Sequence, residues 1–221
     1  MTEAQRPPRP GLLAEPPASI AIVMLSALGD VVHVLPVVNA LKRAWPASHL
    51  TWVIQPLGRR LVAGHNAVDE FVVFRRRKGP SAWRSFAETA RALRGRHYDL
   101  LLALQVYAKA GLLTALAPAD VKLGFDRGRA RDLNWLFTNR RIPPRPVQHV
   151  QDAYFEFLDV LGVDPQPLEW RIPITDDERA AQRAFFEGLD RPACAVVVGT
   201  SKPEKNWAPE HYARLLGAVE S

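Results

Sequence analysis

Two short loops carry the side chains best suited to chemistry. The first, Ser26-Ala27-Leu28-Gly29-Asp30, follows the apolar run 20–25 and opens a helical pattern. Ligands of open α/β sheets bind at the carboxyl ends of strands, so a carboxylate here stands where a substrate arrives. A helix N-terminus favours the ionised carboxyl, and an ionised Asp30 can take a proton from a substrate hydroxyl. Gly29 permits a tight turn or the close approach of a ligand. Asp30 also reads as a plain N-cap, a role that needs no ligand. The second loop runs from Gly199 to Trp207, between a predicted strand at 193–198 and a predicted helix at 209–219. The hydroxyls of Thr200 and Ser201, with Lys202 and Lys205 at a helix start, make a phosphate cradle. Lys205 can neutralise a leaving diphosphate. The same loop reads equally as a solvated connection with Trp207 packed as a cap.

Other chemistries lack their residues. There is no G-x-G-x-x-G, no phosphate-binding P-loop, no G-x-S-x-G and no H-E-x-x-H. The six histidines have no ligand-like spacing, and no Asp-x-Asp pair offers a metal–nucleotide site. A dehydrogenase, a nucleoside triphosphatase and a zinc hydrolase are thereby disfavoured. No metal or other cofactor is expected. The single cysteine, Cys194, cannot form an internal disulfide, which fits a reducing cytoplasm. No apolar run reaches the roughly 18 residues of a spanning helix.

Charge points to an anionic partner. The 221 residues carry a net +6, but residues 1–150 hold +12 and residues 151–221 hold −6. The densest basic stretches are 75–78 and 122–145. Such asymmetry fits nucleic acid, an acidic membrane surface or a phosphorylated substrate. Nucleic acid is not expected, because neither a zinc-finger spacing nor an aromatic ribonucleoprotein motif accompanies the charge.

Short apolar strands alternating with helices must position these loops. Strands are predicted at 20–25, 50–54, 70–74 and 99–104, and helices at 57–63, 81–94 and 109–117, besides the helix after Asp30 that ends near Trp45. That rhythm predicts a parallel α/β sheet. Pro36 should kink the first helix or mark its first turn. An amphipathic helix is predicted at 148–161, stopped by Gly162. Thr175 with Glu178 forms a capping-box pattern that opens a helix to about 187. Residues 1–18, with five prolines, read as a mobile tail. The expected division is therefore a tail at 1–18, a Rossmann-like domain with its linker at 19–174, and the beginning of a second domain at 175–221.

In order along the chain, these segments resemble glycosyltransferase family 9, the lipopolysaccharide heptosyltransferases. The resemblance lies in AIVMLSALGDVVHVLPVVNALKRAWP, TWVIQP, AVDEFVVF, YDLLLALQVYAKAGLL, LGFDRGRARD, HVQDAYFEFLDVLG and SKPEKNWAPEHYARL. Two departures stand out: Val106 replaces a glycine after Gln105, and Ala208 separates Trp207 from Pro209. The resemblance implies a GT-B architecture, with one complete Rossmann-like parallel-sheet domain and the start of a second. It implies inverting, metal-independent transfer of a heptose-like sugar from a nucleotide-sugar such as ADP-heptose to a lipid-linked anionic saccharide acceptor. Asp30 would be the general base, and Thr200, Ser201 and Lys205 would hold the donor diphosphate. Gly29, Arg59, Arg60, Lys109 and Arg129 would meet the acceptor. The implied location is cytoplasmic and peripheral on the inner-leaflet membrane surface. The family's later Asp-x-Gly-x-x-His segment is not in this sequence, so the chain is expected to be a fragment that is inactive alone. The alternative is a non-catalytic anion- or membrane-docking module without a donor domain.

Overall fold

Strand β1 (Ser19–Val23) is apolar from Ile20 onward, and each of those residues is fully buried, as a central parallel strand requires. The computed structural model describes residues 11–77, 79, 81–189, 193–200 and 203–220. Helix α1 (Leu28–Ala44) follows, then β2 (His49–Ile54), α2 (Pro56–Leu61), β3 (Glu70–Val73) and α3 (Ser81–Arg94). Next come β4 (Tyr98–Ala103), α4 (Ala108–Leu116), β5 (Ala119–Gly124), a 3-10 turn (Asn134–Phe137) and β6 (Arg140–Arg141). Helices α5 (Val150–Leu161), α6 (Asp176–Glu187) and α7 (Pro209–Glu220) complete the order.

The six strands form one sheet in the order β3-β2-β1-β4-β5-β6, and every pairing is parallel. This is the doubly wound order, whose direction reverses between β1 and β4. Side chains alternate across the sheet. Ile20, Ile22, Trp52, Leu100 and Leu102 pack on one face with α1 and α5; Ala21, Val23, Val53, Leu101 and Ala103 pack on the other with residues of α3 and α4. Both faces are therefore covered, which explains why these strands read as continuous apolar runs. At the amino ends, the Asp99 carboxylate accepts the Ser19 N–H at 2.8 Å and ties β4 to β1.

Chain division follows packing: one compact unit covers Met1–Pro173 and a second covers Ile174–Ser221. The second holds α6 and α7. Thr175 caps α6 by accepting the Glu178 N–H at 3.2 Å, while the Glu178 carboxylate accepts the Thr175 N–H at 2.7 Å. Among the described residues, no helix is long and apolar enough to cross a membrane.

Four local expectations need correction. Residues 11–18 do not behave as a free tail: Leu12 donates its N–H to the Val160 carbonyl at 3.0 Å, and Leu12 and Leu13 pack on the core. Their apolar burial offsets the cost of ordering the segment; residues 1–10 lie outside the described residues. Pro36 does not mark a first turn, because α1 begins eight residues earlier and runs through it. Residues 193–198 form no strand; Val197 is 84% exposed, and no neighbouring strand offers a ladder among the described residues. Finally, β5 and β6 occupy part of what reads in sequence as a basic run. Lys122 sits within β5 with its ammonium donating to the Ala115 carbonyl at 3.2 Å, and burial lowers its pKa.

Candidate functional site

The reversal of strand order between β1 and β4 leaves a cleft at their carboxyl ends. Its volume is about 350 Å³, and its lining includes Leu25 and Ser26 after β1, Gln55 after β2, and Gln105, Tyr107 and Lys109 after β4. Arg76 and Asp132 complete the charged part of the wall. A concave site with a few convergent polar groups on sheet ends is where an α/β fold places a ligand.

Gln105 holds the loop that carries Asp30. Its Oε1 accepts the Leu25 N–H at 3.1 Å, and its amide N–H donates to the Ser26 carbonyl. From the other side, the Met24 N–H donates to Val53 and the Trp52 indole N–H donates to the Met24 carbonyl. The β4–α4 loop is pinned in turn: buried Asn134 donates to the carbonyls of Gln105 and Tyr107. These bonds satisfy backbone groups that leave the sheet and so fix the cleft wall.

Asp30 lies in the first turn of α1, three residues beyond the N-cap position, which Ala27 occupies. Its Oδ2 accepts the Ala27 N–H at 3.0 Å; Oδ1 makes no hydrogen bond to the described residues. The carboxylate thus supports the helix end with one oxygen, and the other has no hydrogen-bond partner among the described residues. It is half-buried and lies outside the lining of the cleft. Burial pushes the Tyr154 phenol on α5 up, and the nearby Asp30 charge acts in the same direction. One turn along α1, the Gln151 amide N–H donates to the His33 carbonyl, so its Oε1 accepts from His33 Nδ1 at 3.0 Å.

The other expected acceptor residues separate. Lys109, exposed in the first turn of α4, lines the cleft. Gly29 is the second residue of α1 without a left-handed φ, so no tight turn requires it; a Cβ there would meet nothing within 4 Å. The space before this helix end is open. Arg59 stacks its guanidinium over the Phe71 ring at 4.5 Å, and Arg60 is exposed on α2; neither lines the cleft. Arg129 is not available to an acceptor. It pairs with Asp126, forms a bidentate bond to buried Glu156 at 2.6 and 2.8 Å, and donates to the Pro143 carbonyl. A buried Glu156 carboxylate requires that partner, so Arg129 joins β5's loop to α5.

The donor-side candidates stand on the second unit. The Thr200 N–H and hydroxyl donate to the Asn206 carboxamide oxygen at 2.8 and 2.9 Å, closing the loop on itself. Lys205 ends an exposed 3-10 turn (Pro203–Lys205). Trp207 packs against the rings of His211 and Tyr212. Ser201 lies outside the described residues.

Gln105, Tyr107, Arg76 and Asp132 were not among the sequence-derived site residues. Arg76 lies within the basic stretch 75–78, and Gln105 directly follows an apolar strand; those were the available signals. Asp132 reaches the cleft through a left-handed backbone conformation, φ 51°, which spacing does not reveal. His97, Asp99 and Asp120 place potential metal ligands within 4.8 Å of one another, but at the amino ends of β4 and β5, away from the cleft.

Comparison with known proteins bears on the family and the fold. The family model described as glycosyltransferase family 9 (heptosyltransferase) matches residues 86–221. Lipopolysaccharide core heptosyltransferase OpsX of Haemophilus influenzae is 29% identical over 204 residues, covering 92% of this chain and 57% of that protein. Lipopolysaccharide heptosyltransferase 1 of Escherichia coli K12 is 27% identical over 210 residues, covering 90% of this chain and 64% of that protein. The chain therefore spans about three-fifths of the length of these relatives. Among solved structures, the family 9 glycosyltransferase of Veillonella parvula superposes with a TM-score of 0.75 at 24% identity, covering 91% of this chain and 59% of that one. Escherichia coli heptosyltransferase WaaC with ADP-2-deoxy-2-fluoro heptose gives 0.67 at 26% identity, covering 91% and 65%. The matched residues include the β4 end that carries Gln105 and Lys109 and the whole Gly199–Trp207 loop, and the pairwise matches extend over nine-tenths of the chain. By this match, and with the sheet order to accompany it, the chain belongs to glycosyltransferase family 9.

Proposed function

We propose that this chain supplies the acceptor side and the first part of the donor side of an inverting, metal-independent glycosyltransferase. The enzyme moves a heptose-like sugar from a nucleotide-sugar of the ADP-heptose kind to a lipid-linked, anionic saccharide of the lipopolysaccharide core. It works as a cytoplasmic, peripheral protein on the inner-leaflet surface. Family membership and the names of the relatives support the reaction class. The observation that carries the residue assignment is Asp30: a half-buried carboxylate at a helix N-terminus beyond β1, with one oxygen uncommitted.

In this reading Asp30 takes the proton of the acceptor hydroxyl. The freed oxygen lone pair forms a bond to the anomeric carbon on the face opposite the diphosphate. The bond from that carbon to the diphosphate oxygen breaks, and its electron pair leaves with the nucleoside diphosphate. Lys205, with Thr200 and Ser201, balances the charge that develops on the leaving group. Lys109 and Arg76 attract the carboxylates or phosphates of the acceptor in the cleft, and Arg59, Arg60 and Gly29 border its approach.

The test uses the active protein that contains this chain, ADP-heptose and a heptose-deficient core acceptor, with ADP release as the readout. Asp30→Asn is expected to lower kcat by about 10²–10⁴-fold, the usual worth of a general base, while donor affinity stays near wild type. Near-normal turnover of that variant would remove Asp30 from the mechanism. Absent transfer by the wild-type protein, with anion binding retained, would favour the docking-module reading.

A further inference from the structure

Beside the cleft lies a second depression of different chemistry. It measures about 200 Å³ and is floored by Phe74, Phe86 and Leu112, with Trp83 as one wall. Phe74 and Phe86 meet edge to face, their centroids 6.2 Å apart, which fixes the floor. Trp83, in the first turn of α3, is nevertheless 75% exposed. An indole left largely in water beside an apolar groove is unusual for a surface with no partner.

The rim is cationic. Arg76, Arg77 and Lys109 line the groove, no acidic residue does, and none of the three has an ion-pair partner among the described residues. Arg76 and Lys109 also line the cleft, so groove and cleft adjoin at these two side chains. Aromatic and aliphatic groups ringed by unpaired arginine and lysine match the boundary of an anionic bilayer, where indoles settle among headgroups and cations meet lipid phosphates.

We propose that this groove docks the protein on an anionic phospholipid surface, with Trp83 as the inserted anchor and Arg76, Arg77 and Lys109 on the headgroups. Docking there turns the mouth of the cleft toward the lipid, where the sugar of a lipid-linked acceptor lies. The inference rests on the proposed function for its purpose, but not for its measurement.

Co-sedimentation with vesicles provides the test. The protein should bind vesicles of phosphatidylcholine with phosphatidylglycerol (about 3:1) and not phosphatidylcholine alone, with weaker binding as salt rises. Its tryptophan emission should shift to the blue on binding. Trp83→Ser should weaken partitioning about 10-fold by loss of apolar burial, and should lose that shift. Arg77→Glu should weaken it at least about 5-fold. Both positions are exposed, so circular dichroism should be unchanged, and Leu112→Asp gives an independent check on the floor. Equal binding by wild type and both variants, no binding to either vesicle, or a Trp83-dependent dimer in light scattering would each overturn the proposal. Transfer to a deacylated, water-soluble acceptor is measured in parallel. Retained transfer with lost vesicle binding isolates the docking surface, whereas absent transfer with intact docking counts against the function alone.

Discussion

In the first unit, Met1–Pro173, helix α5 buries Tyr154, Phe157, Leu158 and Leu161 against the sheet; in the second, Ile174–Ser221, helix α6 buries none of its residues. Both helices have sound local signals. His149 accepts the Gln151 N–H at the start of α5, and Gly162 ends it in the left-handed region at φ 72°. Thr175 and Glu178 cap α6 at least as well. Yet Phe185 and Phe186 of α6 stay exposed, as do Leu215 and Leu216 of α7. Caps decide where a helix starts and stops, and a sheet decides whether its apolar face is buried. The same contrast separates the candidate residues of the first unit from those of the second. Asp30 and Gln105 sit beside the buried sheet end, whereas Thr200 bonds the Asn206 side chain within its own exposed loop and Lys205 ends an exposed 3-10 turn.

The largest test of that contrast compares two phenylalanines. Phe157→Ala should destabilise the first unit by about 3–5 kcal/mol, while Phe186→Ala should change stability by no more than about 0.5 kcal/mol, both read from urea midpoints. Similar losses at the two sites would break the comparison. Glycine substitutions should carry opposite signs. A Cβ at Gly111 would clash with the Phe137 ring, so Gly111→Ala should cost about 1–3 kcal/mol. A Cβ at Gly217 in α7 meets nothing within 4 Å, and Gly217→Ala should stabilise that helix by up to about 1 kcal/mol, visible in its hydrogen exchange. Gln105→Ala strips partners from the Leu25 N–H and the Ser26 carbonyl and should cost about 1–3 kcal/mol. Thr175→Ala should cost about 1 kcal/mol and speed exchange only in the first turn of α6.

The smallest effect is a pH slope confined to the first unit. Buried His65 accepts the Ala67 N–H at Nδ1 and so donates from Nε2 to the Trp170 carbonyl at 3.2 Å, both satisfied in the neutral ring. Burial holds its pKa below the ordinary 6.5, against the pull of the Trp170 carbonyl. Its stabilisation is therefore complete above pH 6.5 and fades as pH falls through 6.5 toward the folded-state value. The melting temperature should drop across that window, and His65→Gln should flatten the drop. An unchanged slope in the variant would assign the effect elsewhere.

Much of the fold was legible because parallel strands between two helix layers are mostly apolar, and β1, β2 and β4 carry that signature apart from residues such as Ser19, Thr51 and Asp99. Strand β5 was hidden by Lys122 and β6 by its two arginines, since strands toward the sheet edge tolerate charge. The stretch 193–198 misled in the opposite direction: β-branched residues favour a strand, but a strand needs a partner. The position of Asp30 in the first turn of α1 was readable from its place after the first strand. Arg129 was not, because its sequence surroundings are basic while its contacts are the distant Glu156 and the adjacent Asp126.

Sequence alone determined the strand–helix alternation, the stop of α5 at Gly162, the capped start of α6 at Thr175, and the position of a carboxylate at the first strand-to-helix turn. These depend on neighbours a few residues away, where spacing and side-chain type carry the physics. Tertiary structure decided which cations find ion-pair partners among the described residues. Arg129 became a buried structural partner, while Arg76 and Lys109 became the charged wall shared by cleft and groove. The reason is that a guanidinium or an ammonium takes its role from the groups that desolvate and pair it, and those groups come from elements far apart in the chain.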